Sequence, residues 1–334
     1  MKPYPLLPEP LLKPRVWGGR ELARFGKKLP ENTPIGESWE VADLPETIRD
    51  GRSVIANGAL AGRTLRQAIT EHTDLITGRA ALTDDGGFPL LIKYLDARQN
   101  LSVQVHPTAD YVKNHPEASL KSEAWIVIDA VPGAVIYKGV RADVTPGQFA
   151  RDIETDAVVD DLLAVPVQPG DCHYLPTGTC HALGAGVIVA EVQTPSDTTF
   201  RVYDWGRTGR ELHLKPALQC IRFGHRPMQP SQTPPPIEAH GTRSQRLLDT
   251  EYFTIDRVQA LAATSLEIVT NDMPVVWMVI QGRGTVRGGG IEETLRDGTT
   301  VIMPAAMQDG VAQVEPGCYL LIISPPSPIK GMIA

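Results

Sequence analysis

Two stretches of this 334-residue chain are written twice. Trp125-Ile-Val-Ile returns as Trp277-Met-Val-Ile, and each run leads into a glycine turn and a further strand. Gly170, five residues and Pro176 return as Gly298, five residues and Pro304. A unit that recurs with its own turns is one supersecondary block used twice. Short β-branched runs punctuated by Gly and Pro make that block a small β-barrel. Residues 224–242 lie between the copies and hold five prolines, three of them consecutive, with few apolar side chains, which is the composition of a linker. A hydrophobic content of 42% is enough for a large core. The expected architecture is mainly β, two barrels in tandem: residues 1–224, a Pro-rich linker at 225–242, and residues 243–334.

The chemistry gathers in the first copy. In LSVQVHP, Leu101, Val103 and Val105 alternate with Ser102, Gln104 and His106, the period of a half-buried strand, so the three polar side chains leave one face. Pro107 lacks a ladder donor and ends or bends that strand. An amide oxygen and an imidazole at i and i+2 can reach one divalent cation. Glu123, after a loop-like insert holding Pro116, adds an anionic oxygen. His181 follows the turn Pro176-Thr-Gly178, begins the next strand, and can face back towards His106. In the second copy Asp309 stands where His181 would fall, and neither a Gln/His pair nor a glutamate precedes it. That copy has the shape without the ligands.

The remaining segments frame this centre. Thr64 to Thr77 spaces Leu65, Ala68, Ile69, Leu75 and Ile76 as one amphipathic helix face, with His72 solvated or capping. FPLLIKYLDA (88–97) reads as a buried strand whose Lys93 either snorkels at the edge or points into a site. Thr145-Pro146 opens a helical segment that continues, with a break, to 164, a short insertion in the first barrel. Glu191 interrupts an apolar run. Arg201, set among Phe200, Val202 and Tyr203, must find an anion. Trp17, Trp39 and Glu40 read as packing of an N-terminal sheet, although aromatics and acids at a rim also meet sugars. His173 reads as rim solvent, and His115 and His213 as structural.

A formal charge of -7 excludes nucleic acid as the main partner. Pro and Glu interrupt every apolar run of the first twenty residues, so neither a signal peptide nor a membrane span is written there. Four cysteines without a Cys-x-x-Cys pair give no zinc ribbon or dithiol site and suit a reducing, cytoplasmic setting.

The spacing Gly170, Pro176, Gly178, His181 resembles the second signature of the cupin superfamily, and the stretch at Gln104 resembles a modified first signature. Together with VWGG, GESWE, LSVQVHP, KSE, PTGTCHA and SDTTFRVYDWGR, it makes the chain similar to the short form of the type I phosphomannose isomerases. The resemblance implies tandem cupin (jelly-roll) barrels, the first active and the second structural. It implies one zinc ion per chain on Gln104, His106, Glu123 and His181, and a catalytic arginine at Arg201. Ser102, Lys93, Lys121 and Arg207 would face the phosphate of a phosphorylated hexose, in a protein expected to be a monomer.

The implied reaction moves a proton between C2 and C1 through a cis-enediol, interconverting mannose 6-phosphate and fructose 6-phosphate. A metal with an open position suits it as a Lewis acid, and a guanidinium near the same oxygens adds about 3–4 kcal/mol of charge stabilisation. Glu191, Lys121 and a metal-bound water are the candidates for the proton-transferring group, with Glu191 ahead. Two other readings are carried. An iron-dependent cupin oxygenase would want a third histidine in place of Gln104. A non-catalytic, metal-containing sugar-binding or regulatory cupin would not need Arg201, Lys121 and Glu191 together.

Overall fold

In the computed structural model, which describes residues 1–224 and 233–326, the apolar run at 88–97 forms the strand Leu91–Ala97, buried along its whole length. Leu95 and Ala97 pack in a cluster with Trp125, Val127 and Val189, whereas Ile92 and Tyr94 pack in another with Ile126, Ala190 and Val192. Both faces of this strand are covered, which is why its sequence shows no polar alternation. It sits in an antiparallel six-stranded sheet ordered Leu11–Gly19, Ile35–Val41, Leu91–Ala97, Val187–Gln193, Glu123–Ala130 and Cys172–Leu175. A five-stranded antiparallel sheet faces it, ordered Phe200–Tyr203, Val103–Val105, His181–Leu183, Val135–Val140 and Leu162–Pro166. Leu101, Ile136 and Leu183 meet Leu95, Trp125 and Val127 between the two.

The second half repeats the arrangement. A six-stranded sheet runs Ile237–Ala239, Thr242–Asp249, Thr254–Ala260, Tyr319–Ser324, Val275–Gln281 and Thr300–Met303, and a four-stranded sheet runs Thr264–Glu267, Val311–Val314, Gly284–Gly288 and Ile291–Leu295. Trp277 packs with Val286, Leu295 and Ala312 between these sheets, the counterpart of Trp125 in the first half. Twenty-one strands against five short α-helices make the described residues mainly β. None of the helices is long and apolar enough to cross a membrane.

The two six-stranded sheets pack back to back. Ile92, Tyr94, Ile126 and Val192 share one cluster with Ile255, Val276, Met278, Leu321 and Ile323. Each such buried side chain contributes about 1.5–3 kcal/mol relative to an exposed one. A polar knot sits in the same seam. Lys27 Nζ donates to Glu40 at 2.7 Å and to the Gly298 carbonyl at 2.8 Å, while Ser38 and Thr300 donate to Glu40 at 2.6 and 3.0 Å. Leu6 and Ile302 exchange backbone hydrogen bonds of 2.9 Å, tying the start of the chain to the second half. Trp17 and Trp39 are buried, each within an apolar cluster, and the Trp39 ring also lies under Lys13 Nζ at 4.5 Å and Lys93 Nζ at 5.3 Å.

Four segments differ from the sequence expectation. The helix over 64–77 is two, Leu65–Glu71 and Thr73–Ile76, because His72 between them has ψ 47°, outside the helical range. Thr64 and Gln67 form a capping box, and Leu65, Ala68, Ile69 and Ile76 are still buried. The helical segment expected to reach 164 consists of Pro146–Asp152 and two 3-10 turns, Ile153–Thr155 and Ala157–Val159; Asp156, with φ 62°, breaks it, and Leu162 already pairs with Val140 as strand. The loop-like insert before Glu123 contains the helix Ala109–Asn114, capped by Thr108. Of the linker expected at 225–242, residues 225–232 lie outside the described residues, and Ile237–Ala239 is a strand paired with Thr242–Ser244.

Glu40→Ala would leave the Lys27 ammonium buried without its carboxylate, which costs about 3–5 kcal/mol. The variant should melt well below the parent, and both proteins in a single transition, because the apolar seam makes the two halves one cooperative unit. Calorimetric unfolding reads both quantities. Two resolved transitions in the parent would contradict the continuous core.

Candidate metal centre

The register of the five-stranded sheet aligns four polar residues in one row. Arg201 pairs with Gln104, Gln104 with His181, and His181 with Lys138. Cross-strand partners in an antiparallel sheet leave the same face. Val103 and Val105 take the opposite face, in a cluster with Val202, Ala182 and Phe149. His106, two residues beyond Gln104, therefore returns to the polar side. Glu123 opens the strand Glu123–Ala130 of the other sheet.

These side chains meet. Glu123 Oε1 lies 3.0 Å from His181 Nε2, and Glu123 Oε2 lies 3.3 Å from His106 Nε2. The Gln104 amide stands 3.3 Å from His181 Nε2, and a half turn of that amide presents its oxygen at the same place. His181 Nδ1 donates to the Thr179 carbonyl at 2.8 Å and His106 Nδ1 to the Thr198 carbonyl at 3.2 Å, the tautomers that leave both Nε2 lone pairs free. All three residues are buried, and His106 Nε2 and both Glu123 oxygens make no hydrogen bond.

Buried polar atoms without partners are costly, and here they converge on one point. The ligand atoms of the three residues lie within 4.8 Å of one another, and their nearest pairs, at 3.0 and 3.3 Å, are close to the edge of a zinc tetrahedron, about 3.3 Å for bonds near 2.05 Å. Two neutral imidazoles, one carboxylate and one amide oxygen form a donor set that such a cation fits. Among the described residues, His106, Glu123 and His181 are the one cluster of this kind, and Asp309 is exposed and outside it.

Electrostatics agree. Burial alone would raise the Glu123 carboxyl, but Lys121, whose Nζ is 2.9 Å from Oε2, and then the two histidines hold it well below the usual carboxylate range. Burial, and next the charge of Lys121, bring His106 down to about 3. Burial would lower the Lys121 pKa, yet Glu123 and Glu191 override it and raise it, so this lysine stays charged.

The other expected residues are arranged differently. Lys93 Nζ is 2.9 Å from Glu191 Oε1 and 2.6 Å from Gln193 Oε1, and Trp125 Nε1 donates to Glu191 Oε2 at 2.8 Å. Both Glu191 oxygens are thus engaged, and the Lys93 charge is already paired. Arg207 is likewise committed, to Asp204 at 2.7 Å and the Asn100 carbonyl at 2.8 Å. Ser102 is buried just ahead of the strand Val103–Val105. Arg201 remains free of carboxylates among the described residues. Its Nη1 donates to the Glu211 carbonyl at 2.6 Å, its Nε is buried without a partner, and its backbone is fixed by His213, whose Nδ1 accepts from the Arg201 amide at 3.1 Å.

One buried residue near the centre escaped the sequence reading and another was placed in rim solvent. Lys138 is 4% exposed, and burial lowers its pKa. His173, expected in rim solvent, has its Nε2 buried without a hydrogen bond, and burial, then Lys138, bring it down to about 4. Lys138 shares the alternation of Ile136 in VIYKGV, which was the available signal.

The unfolded chain takes up a proton on His106 below the ordinary 6.5, whereas the fold resists it to about 3. That contribution to the metal-free protein is present above pH 6.5 and is lost as pH falls towards 3. His106→Gln should flatten this part of a plot of Tm against pH in chelated protein; an unchanged acid limb would contradict the buried neutral imidazole.

Comparison with known proteins bears on the whole chain. Residues 9–133 match the model of the phosphomannose isomerase type I catalytic domain. The chain is 33% identical over 329 residues to the probable mannose-6-phosphate isomerase GmuF of Bacillus subtilis (strain 168), covering 96% of this chain and 99% of that protein. It is 34% identical over 311 residues to mannose-6-phosphate isomerase ManA of the same strain, covering 91% and 94%. The crystal structure of the mannose 6-phosphate isomerase from Bacillus subtilis superposes with a TM-score of 0.85 at 30% identity, over 96% of this chain and 99% of that one. Identity at this level, sustained from end to end and joined to a buried two-histidine, one-glutamate centre, establishes that the chain belongs to the type I phosphomannose isomerase family.

Proposed function

We propose that this chain interconverts mannose 6-phosphate and fructose 6-phosphate by proton transfer between C2 and C1 through a cis-enediol, with one zinc ion held by Gln104, His106, Glu123 and His181. The observation that carries this reading is the convergence of unpartnered buried donor atoms beside a guanidinium that has no carboxylate of its own. Zinc, when bound, supplies a Lewis acid for the two neighbouring oxygens of the substrate. Glu123 contributes one negative charge to the centre, so the metal keeps a net positive charge that suits an anionic intermediate.

Arg201 lies one strand from Gln104 in the same row, and its planar fork is suited to charge that develops on those oxygens. Lys121, kept protonated by Glu123, adds a fixed positive charge and can donate, but is no base. Lys93, Glu191 and Trp125 form a bonded tier that orients the inner wall, and Arg207 braces Asp204. Each pair of facing sheets is read as one cupin jelly-roll barrel, residues 1–224 bearing the site and 243–334 acting as its buttress. The four cysteines are unpaired, in keeping with a reducing, cytoplasmic setting.

The competing reading is a metal-containing sugar-binding cupin without turnover, and Arg201 separates the two. Because Arg201 has no carboxylate to strand, Arg201→Ala should keep its zinc and melt near the parent. Its rate constant for isomerisation should fall about a hundredfold to a thousandfold, as for donors aimed at developing charge. The Michaelis constant should move less, and Arg201→Lys should recover little. Steady-state kinetics with metal analysis and melting test this together. Parent-like turnover in Arg201→Ala would remove its catalytic role.

A further inference from the structure

The strand Phe200–Tyr203 is an edge of the five-stranded sheet, paired among the described residues with Val103–Val105 alone. Arg201 turns its backbone N–H and C=O outward, away from Gln104. An edge residue so placed leaves a donor and an acceptor for another segment to satisfy. His213 satisfies both. Its amide donates to the Arg201 carbonyl at 2.7 Å, and its ring Nδ1 accepts from the Arg201 amide at 3.1 Å. Two residues earlier, the Glu211 carbonyl accepts from Arg201 Nη1 at 2.6 Å. Residues 211–213 thus hold one arginine by its backbone and by its guanidinium.

This clamp is anchored on both sides. Ahead of it, Arg210 Nη1 lies 3.0 and 3.1 Å from the two oxygens of the buried Asp204. Behind it, the His213 carbonyl accepts from the Ala217 amide at 3.0 Å, in the first turn of the helix Leu214–Cys220. Ala217 and Cys220 share one apolar cluster with Val103, Val105 and Val202, the residues that back the strands of Gln104 and Arg201. The clamp is therefore fixed to the same layer as the ligand strand. A continuing strand would cover the edge with backbone carbonyls. Here the chain leaves that path for a helix, and a side chain supplies the missing acceptor.

We propose that His213 is a positioning residue for the isomerisation: its Nδ1, held against the Arg201 amide, sets where the Arg201 guanidinium stands relative to the metal ligands. This rests on the reading of the chain as an isomerase in which Arg201 meets charge developing on the substrate. A four-residue edge strand freed of the clamp can shift, and a misplacement of about 1 Å costs about a hundredfold in rate. The contact needs the tautomer with its proton on Nε2, since an Nδ1–H would oppose the amide N–H.

The test is a double-mutant cycle between positions 201 and 213 in zinc-loaded full-length protein, read by steady-state kinetics with mannose 6-phosphate, zinc content and melting. His213→Leu keeps bulk and removes the acceptor. Its rate constant should fall about tenfold to a hundredfold with a smaller change in the Michaelis constant, at parent zinc content and with a cooperative melt. His213→Asn places an amide oxygen where Nδ1 stood and should recover most of that rate. In Arg201→Ala protein, His213→Leu should cost no further rate, because its effect passes through Arg201. His213→Ala admits water to the amide, so it should fold even where His213→Leu does not, and it should lose rate in the same way. Parent-like rate constants in both His213→Leu and His213→Ala would overturn the proposal. So would His213→Asn protein as slow as His213→Leu, or an equal loss from His213→Leu with and without Arg201, which is what a general structural role gives. A parent that turns over no mannose 6-phosphate would overturn the isomerase reading and this proposal with it. A parent that does turn over, joined to an additive cycle, would overturn this proposal alone.

Discussion

Glu123 is a fully buried carboxylate, and the first half of the molecule is arranged around keeping it charged. Burying such a group costs several kcal/mol unless opposite charge and donors surround it. Lys121 supplies the charge at 2.9 Å, yet neither Glu123 oxygen makes a hydrogen bond, so the compensation is incomplete. Both imidazoles offer lone pairs rather than protons to the same point, because their Nδ1 atoms are spent on backbone carbonyls. The deficit is what a divalent cation makes good, and its position is set by strands rather than loops.

That precision comes from covering both faces of the six-stranded sheet. Its inner face carries Lys93, Glu191 and Trp125 towards the site, and its outer face is sealed by the second half through Ile255, Met278 and Leu321. A half without a ligand cluster among its described residues still determines the geometry of the other, because a strand exposed on its outer face could slip or bend. The knot of Lys27, Glu40 and Thr300 adds a polar register mark to an otherwise apolar seam.

What could be read from sequence follows from how local each signal is. Gln104 and His106 were legible because two positions along one strand share a face, and His181 because Gly and Pro fix the turn before it. That Glu191 and Lys93 pair was not legible: the pairing depends on the register between Leu91–Ala97 and Val187–Gln193, which neither stretch encodes alone. Lys138 was passed over and His173 was read as rim solvent for the same reason, since only the register through His181 and Trp125 brings them near the centre. A break in the 145–164 segment was legible, but its place at Asp156 was not, because it needs a left-handed residue and the preference of aspartate for that conformation is too weak to locate it.

The central claim is that a preformed interior between two facing sheets, completed by one cation, isomerises a hexose phosphate. A coupled assay for fructose 6-phosphate formed from mannose 6-phosphate, run on chelated protein before and after zinc is restored, tests it most directly, with melting followed in the same samples. The account predicts that turnover vanishes on chelation and returns with zinc, while the cooperative melt persists throughout because the core does not depend on the metal. Turnover undiminished by complete chelation, or a chelated protein without a cooperative melt, would contradict it.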